Sequence, residues 1–382
     1  MKPRFKPSLG FKEFAKIFKN NDGAVRRFEK KFADKFEAVD AVSFPYGRSA
    51  QWAFFKSIGL SNAEIIMPAY TCSVVAHAIS LSGNIPRFVD INLTDFNMDL
   101  DQLRNTINSN TRAIVATHTF GYPQDIDSLE NIVEEAEQRF DNKIWLIQDC
   151  CHAFGAKHEG RVIGTSGDVA VYAFNISKMI TAIFGGMLTF QDQDLANKVR
   201  AWRDLHFKAP GKLKSLKRRV YLIAVYIAFN KYIYGLTCWL QNNTRLLDPF
   251  TKAYHLDDKI HFPPDYLDKM LDIEAAIGLE QLKKYPTIIS YRQKMARYYT
   301  EHLDHQADWE LPPLVEGATY SHYAVRVPDK GQVMKDSLAQ GIQLGELIQY
   351  SVSDLACYQN VGDECPNARE ASKKTINFPV TK

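Results

Sequence analysis

Three polar segments of this chain sit directly after apolar runs, where chemistry in folded proteins is often done. Gly47-Arg48-Ser49-Ala50 follows the run Ala41–Phe44 and opens a helical stretch. Small residues at such a turn let backbone N–H groups approach an anion, and the helix dipole favours negative charge there. Ser49 adds a hydroxyl, and it equally suits a plain helix N-cap. Gln148-Asp149-Cys150-Cys151-His152 follows Ile144–Ile147. Asp149 reads either as a strand-end cap or as a site acid, and His152, three residues on, can face the same ligand. Asn175-Ile176-Ser177-Lys178 follows Val169–Phe174. A lysine beside a buried strand end can have its pKa lowered by desolvation, which makes the amine nucleophilic. Most lysines are simply solvated. Gly185-Gly186 lets the backbone pass close to another group or makes a turn.

Together these features say more. An acid, a lysine 29 residues later and a Gly-Ser cradle 100 residues before the acid match pyridoxal phosphate chemistry. The amine would engage the cofactor's aldehyde, the carboxylate would hold the pyridinium proton, and the helix N-terminus would take the phosphate.

The elements that must position these residues alternate. Strands are predicted at Ala41–Phe44, Glu64–Pro68, Ile85–Ile91, Ala113–Thr117, Ile144–Gln148, Val169–Phe174 and Gly186–Phe190. Amphipathic stretches Ser49–Leu60, Thr71–Ser82 and Leu129–Arg139 lie between them. This order argues for an α/β fold with a largely parallel sheet covered on both faces. Ligands then bind beyond the carboxyl ends of the strands. Asp265–Tyr298 reads as a long helix, with Pro286 a point of interruption.

The composition excludes other classes. With 382 residues, 46% hydrophobic and 24% charged, the chain is neither disordered as a whole nor low in complexity. Lys+Arg 47 against Asp+Glu 44 leaves no global basic field for nucleic acid. Six cysteines are too few for a disulfide scaffold and suit a reducing compartment. Met1–Gly10 has no apolar signal region, so a cytoplasmic location is expected. No metal is expected.

The chain resembles the DegT/DnrJ/StrS family of sugar aminotransferases, fold-type I pyridoxal-phosphate enzymes. Beyond the segments above, the resemblance rests on Phe28-Glu29-Lys30-Lys31-Phe32-Ala33, Met67-Pro68-Ala69-Tyr70-Thr71, Arg87-Phe88-Val89-Asp90, Thr111-Arg112-Ala113-Ile114, His118-Thr119-Phe120-Gly121 and Ala275–Leu282, in that order. It implies a large domain with a seven-stranded, mostly parallel sheet over residues 1–262, then a linking helix and a smaller C-terminal α+β domain over 263–382. It implies that Lys178 is the Schiff-base lysine and Asp149 the acid paired with the pyridine nitrogen. His152 would lie near the cofactor's phenolic oxygen, and Gly47, Ser49 and Ala50 would form the phosphate cradle, with Ser177 beside the lysine. It further implies a homodimer with the active site at the subunit interface. The reaction would move an amino group, from glutamate, to a keto or aldehyde carbon of a nucleotide-activated sugar, for polysaccharide or glycan synthesis. A related dehydratase branch replaces the lysine by His, and Lys178 argues against it. Departures are Cys72 at a position where the family stacks an aromatic residue, with Tyr70 as the substitute, and Ala173 where the family has a phosphate-contacting serine. Leu267-Asp268-Lys269 stands where the family has Asn-Tyr-Arg, with Lys269 in place of the Arg. Alternatives are a catalytically silent, membrane-associated scaffold and an aminotransferase for a lipid-linked or non-nucleotide carbonyl compound.

Residues 205–247 form an insertion with eight Lys or Arg and no Asp or Glu. Within it Val220–Leu240 holds one charge, Lys231. Three readings arise: a membrane span, a peripheral element at an anionic lipid surface on the inner face of a membrane, or a helix buried between subunits with its lysines solvated.

Overall fold

The structure, a computed structural model, describes residues 1–244, 259–303, 307–361 and 363–381. Arg245–Leu247, the end of the predicted insertion, lie outside the described residues.

Seven strands form one sheet: β1 (Asp40–Phe44), β2 (Glu64–Pro68), β3 (Ile85–Val89), β4 (Thr111–Thr117), β5 (Trp145–Asp149), β8 (Val169–Ala173) and β9 (Gly186–Phe190). A two-residue hairpin, β6 (Lys157–His158) with β7 (Arg161–Val162), lies between β5 and β8. The sheet order is β1-β9-β8-β5-β4-β2-β3. Only β9 runs against its neighbours, pairing antiparallel with both β1 and β8. The α/β expectation holds, and β2 and β9 match their predicted bounds at both ends. Each of the other five strands shifts by one or two residues at one or both ends.

Both faces of the sheet are covered, and strand alternation sorts the side chains. Ile65, Met67, Val115, Ile147 and Val171 enter one core with the helices Gly47–Ser57 and Ser73–Leu81. Ile66, Ile114, Ala116 and Leu146 face the other way, against Leu129, Ile132 and Val133 of helix Ile126–Phe140. Ala170 and Tyr172 pack on that second face against Phe28 and Phe32 of helix Ala24–Lys35. Period-2 alternation with both faces apolar is what a buried parallel sheet requires.

The C-terminal part begins with helix Asp272–Leu303. It starts later than Asp265 because Asp265 and Asp268 are drawn into ion pairs, and the Glu274 carboxylate accepts the Leu271 N–H. The helix runs on through Pro286 without a break. Beyond it β10 (Tyr323–Arg326) pairs antiparallel with β11 (Thr375–Phe378). Tyr323, Val325 and Ile376 join the same core as the main sheet.

The insertion departs from its predicted form. Val220–Leu240 is not one helix: Lys212–Ala228 and Tyr234–Asn243 are separate, with a turn between them where the Asn230 side chain accepts the Tyr232 N–H. Among the described residues no helix is long and apolar enough to cross a membrane. Nor are all its basic residues solvated. Lys214 pairs with Asp265 at 2.8 Å and Asp268 at 3.1 Å, and Arg218 pairs with Glu274 at 2.9 Å and Asp265 at 3.1 Å.

Candidate active site

The carboxyl ends of β2, β4, β5 and β8 lie side by side, and Tyr70, Cys72, Asp149, His152, Ser177 and Lys178 end or follow β2, β5 or β8, while Gly47, Ser49 and Ala50 follow β1. Asp149 is the last residue of β5, in register with Thr117 of β4 and Val171 of β8. Its Oδ1 accepts the Cys151 N–H at 3.0 Å, and its carbonyl accepts the His118 N–H at 3.1 Å. The strand-end cap reading is thus partly right: one carboxylate oxygen fixes the turn, which also fixes the direction of the other. The side chain is nearly buried.

Lys178 follows β8 in a turn set by its N–H to the Asn175 carbonyl, 3.0 Å. Ser177 Oγ donates to Asn175 Oδ1 at 2.7 Å, so Ser177 serves this turn. Among the described residues no carboxylate lies within ion-pair distance of the Lys178 amine. Its charge bears on His152 and Cys151, in the turn that follows Asp149.

His152 is buried, and burial together with the charge of Lys178 holds its pKa well below the usual value. It is therefore neutral at pH 7. Its ring lies nearly parallel to Phe120, 14° between planes at 6.3 Å, and Nδ1 has no hydrogen-bond partner. Phe120 itself holds φ +53, and Ile183, in the loop after the lysine, holds φ +73. A β-branched residue in that region is strained, and such strain is found at sites that must be over-determined.

Gly47 opens helix Gly47–Ser57, and its N-cap is Tyr46. Ser49 is therefore inside the first turn and not the cap, which removes the plain capping role. Its Oγ is buried with no partner. A Cβ on Gly47 would stand 2.8 Å from the Cβ of Ala173, so only glycine lets this helix start meet the end of β8. Ala50 donates its N–H back to Tyr46. Gly186 is confined likewise: its Cβ would lie 2.4 Å from the Tyr46 carbonyl.

Two expectations change. Tyr70 is fully buried, its ring packs on Phe96 and Phe120, and its hydroxyl donates to the Ile348 carbonyl at 3.4 Å. It binds the sheet to the C-terminal part, which argues against a ring-stacking role. Lys269 pairs with Asp204 at 2.8 Å in its own chain. Cys72 is a half-exposed thiol at the N-cap of helix Ser73–Leu81.

Sequence reasoning missed several neighbours. His322 precedes β10 and lies 6.0 Å from the His152 ring; burial, then Arg292 and Lys178, hold its pKa down at about 3. Arg292 is buried and donates to the carbonyls of Tyr320 and Ser321, which fixes the segment before His322. Tyr350 Oη accepts the Ser73 N–H at 3.0 Å. Arg218 of the insertion donates to Tyr46 Oη at 3.0 Å and lies 3.8 Å over the Phe184 ring. Ser321-His322 before the alternating run Tyr323–Arg326 was a readable signal; the position of Arg218 was not.

These residues fit pyridoxal phosphate. A hydroxyl buried without a partner stands in the helix start that meets the end of β8, an amine without a carboxylate partner follows that strand, and an oriented carboxylate ends its neighbour β5. Solved structures share the fold. The sugar aminotransferase CalS13 from Micromonospora echinospora superposes with TM-score 0.77 at 21% identity, over 100% of this chain and 95% of that one. The E. coli GDP-4-keto-6-deoxy-D-mannose-3-dehydratase with bound hydrated PLP superposes with TM-score 0.75 at 19% identity, over 99% and 95%. In sequence, the GDP-perosamine synthase of Escherichia coli O157:H7 is 26% identical over 388 aligned positions, 99% of this chain and 92% of that protein. The profile of the DegT/DnrJ/EryC1/StrS aminotransferase family matches residues 15–382. With that profile spanning nearly the whole chain over a site of matching chemistry, the protein belongs to the DegT/DnrJ/EryC1/StrS aminotransferase family, and its cofactor is pyridoxal phosphate.

Proposed function

We propose that this chain, as a homodimer, transfers an amino group from glutamate to a keto or aldehyde carbon of a nucleotide-activated sugar, in the synthesis of a cell-surface polysaccharide or glycan. The observation that carries the reading is the pairing of Lys178, an amine without a carboxylate partner, with Asp149 on the neighbouring strand end. The names of the relatives point to nucleotide sugars as the substrate class.

When bound, pyridoxal phosphate supplies an aldehyde that exchanges amino groups and a ring that accepts the electron pair released at the donor's α-carbon. Ser49 Oγ and the first-turn N–H groups of helix Gly47–Ser57 bind the phosphate. The free Asp149 oxygen holds the proton on the ring nitrogen. His152, kept neutral by burial, would sit by the bound cofactor without adding a charge. Lys178 Nζ takes the proton from the donor's α-carbon and returns it on the other side of the exchange; the same two movements, reversed, serve the sugar. A lysine can do this, and retention of Lys178 with Asp149 speaks for a working enzyme and against a silent scaffold or a dehydratase.

The test is borohydride reduction of the cofactor-loaded protein followed by peptide mass spectrometry. The pyridoxyl group is expected on Lys178, and Lys178→Ala is expected to be folded and inactive. A label on another lysine overturns the assignment.

A further inference from the structure

We propose that the outward face of the two insertion helices is a docking surface for an anionic lipid bilayer. This goes beyond the aminotransferase reading and does not depend on it.

Helix Lys212–Ala228 has two apolar faces. Leu222 and Val225 turn inward, onto a cluster with Ile17, Ile183, Leu271 and Ile277. Lys214 and Arg218 turn inward too, into their ion pairs. Leu213, Leu216, Val220, Ala224 and Ile227 point the other way; at about 100° per residue they fill a stripe roughly 80° wide. They are exposed, Leu216 at 57% and Val220 at 58%. The second helix extends the surface with Leu236 and Trp239, and the turn adds Tyr232 and Ile233, all exposed. A helix that is apolar on both sides needs a cover on both.

The charges around the stripe name the cover. Lys217 borders it on one side, and Lys212 and Arg219 on the other, so their stems lie along apolar surface while their heads reach outward. Lys231 flanks the turn beside Tyr232. No Asp or Glu occurs between residues 205 and 244. A second copy laid face to face would bring these cations against one another with no acid in the insertion to pair them. An anionic bilayer supplies the counter-charge everywhere at once, and Trp and Tyr suit its interface. A peripheral contact also agrees with the lack of a spanning helix among the described residues.

The experiment is co-sedimentation of the cofactor-loaded enzyme with phosphatidylcholine vesicles, with and without phosphatidylglycerol, at low and high salt. Binding is expected only with phosphatidylglycerol, and salt should release it. Replacing Lys212, Lys217 and Arg219 by Gln leaves every inward ion pair intact. It should weaken binding about fivefold per cation, on the order of a hundredfold in all. Val220→Asp should abolish sedimentation while the far-UV spectrum and the cofactor absorbance stay unchanged. No binding, equal binding to neutral vesicles, or full binding by the triple Gln variant overturns the proposal. So does a Val220→Asp variant that loses a dimer when the wild type ignores vesicles, since a second copy would then be the cover. None of these outcomes touches the assignment of Lys178.

Discussion

Asp149 has a divided task in the proposed enzyme, since one carboxylate oxygen is spent on the Cys151 N–H and the ring nitrogen falls to the other. Asp149→Asn keeps the shape and can keep the turn, but an amide cannot hold a proton on a ring nitrogen as a counter-charge. Turnover should fall on the order of a thousandfold while the cofactor still binds, as for loss of a comparable electrostatic group. Steady-state rates beside the visible spectrum of the same sample check this, and a near-normal rate would leave Asp149 as a turn cap only. At this scale the sequence was readable where one residue type admits few roles. Lys178 and Asp149 stand out because an amine and an acid after neighbouring strands are chemically conspicuous. Tyr70 is not settled by residue type, because an aromatic ring is equally at home in a core, and its packing on Phe96 and Phe120 argues for the core.

Helix Lys212–Ala228 shows what an element hides from its own sequence. Its basic residues read as one cluster, yet a 3.6-residue repeat turns Lys214 and Arg218 inward and leaves Lys217 at one edge of the outward stripe and Lys212 and Arg219 at the other. The acids that receive the inward pair, Asp265, Asp268 and Glu274, lie about 50 residues on, beyond reach of any local pattern. Glu274 is only 2% exposed in its side chain. Arg218→Ala would leave it buried without its cation, a change that costs about 3 kcal/mol or more. The denaturant midpoint should drop accordingly, and Arg218→Met with Glu274→Leu should recover most of it. If the single variant is as stable as wild type, the pair is not structural. The strands were legible for the opposite reason: buried on both faces, they read as apolar runs whatever their partners are.

The whole molecule should be sensitive to acid in a defined window. His118 is fully buried, with Nδ1 accepting the Gln124 N–H and Nε2 donating to Gln148, and burial pushes its pKa down to about 4. His152 is displaced in the same direction. Both are neutral in the folded chain and protonate near 6.5 when it unfolds. The unfolded state therefore binds more protons below that value, so the stabilisation is complete above pH 6.5 and is lost as the pH falls toward 4. Each histidine contributes a slope of up to ~1.4 kcal/mol per pH unit. Urea titrations of the cofactor-free protein from pH 7 to about pH 4.5 should show it, and His118→Gln should flatten the curve. A pH-independent midpoint over that range would contradict the burial of both rings. What the chain's linear order concealed at this scale is the closeness of its ends: Tyr350 and His322 reach strand ends some 200 residues earlier, and the C-terminal strands share the core of the sheet. One geometric fact, Arg218 and Val220 on opposite sides of a single helix, has a consequence for traffic. Inward, Arg218 reaches Tyr46 beside the Gly47 helix start; outward, Val220 is exposed on the other side of the same helix. Under the docking proposed above, a product released near Tyr46 would begin its journey close to the lipid, so that its hand-over to anything anchored in the same sheet would be a search along a surface and not through a volume.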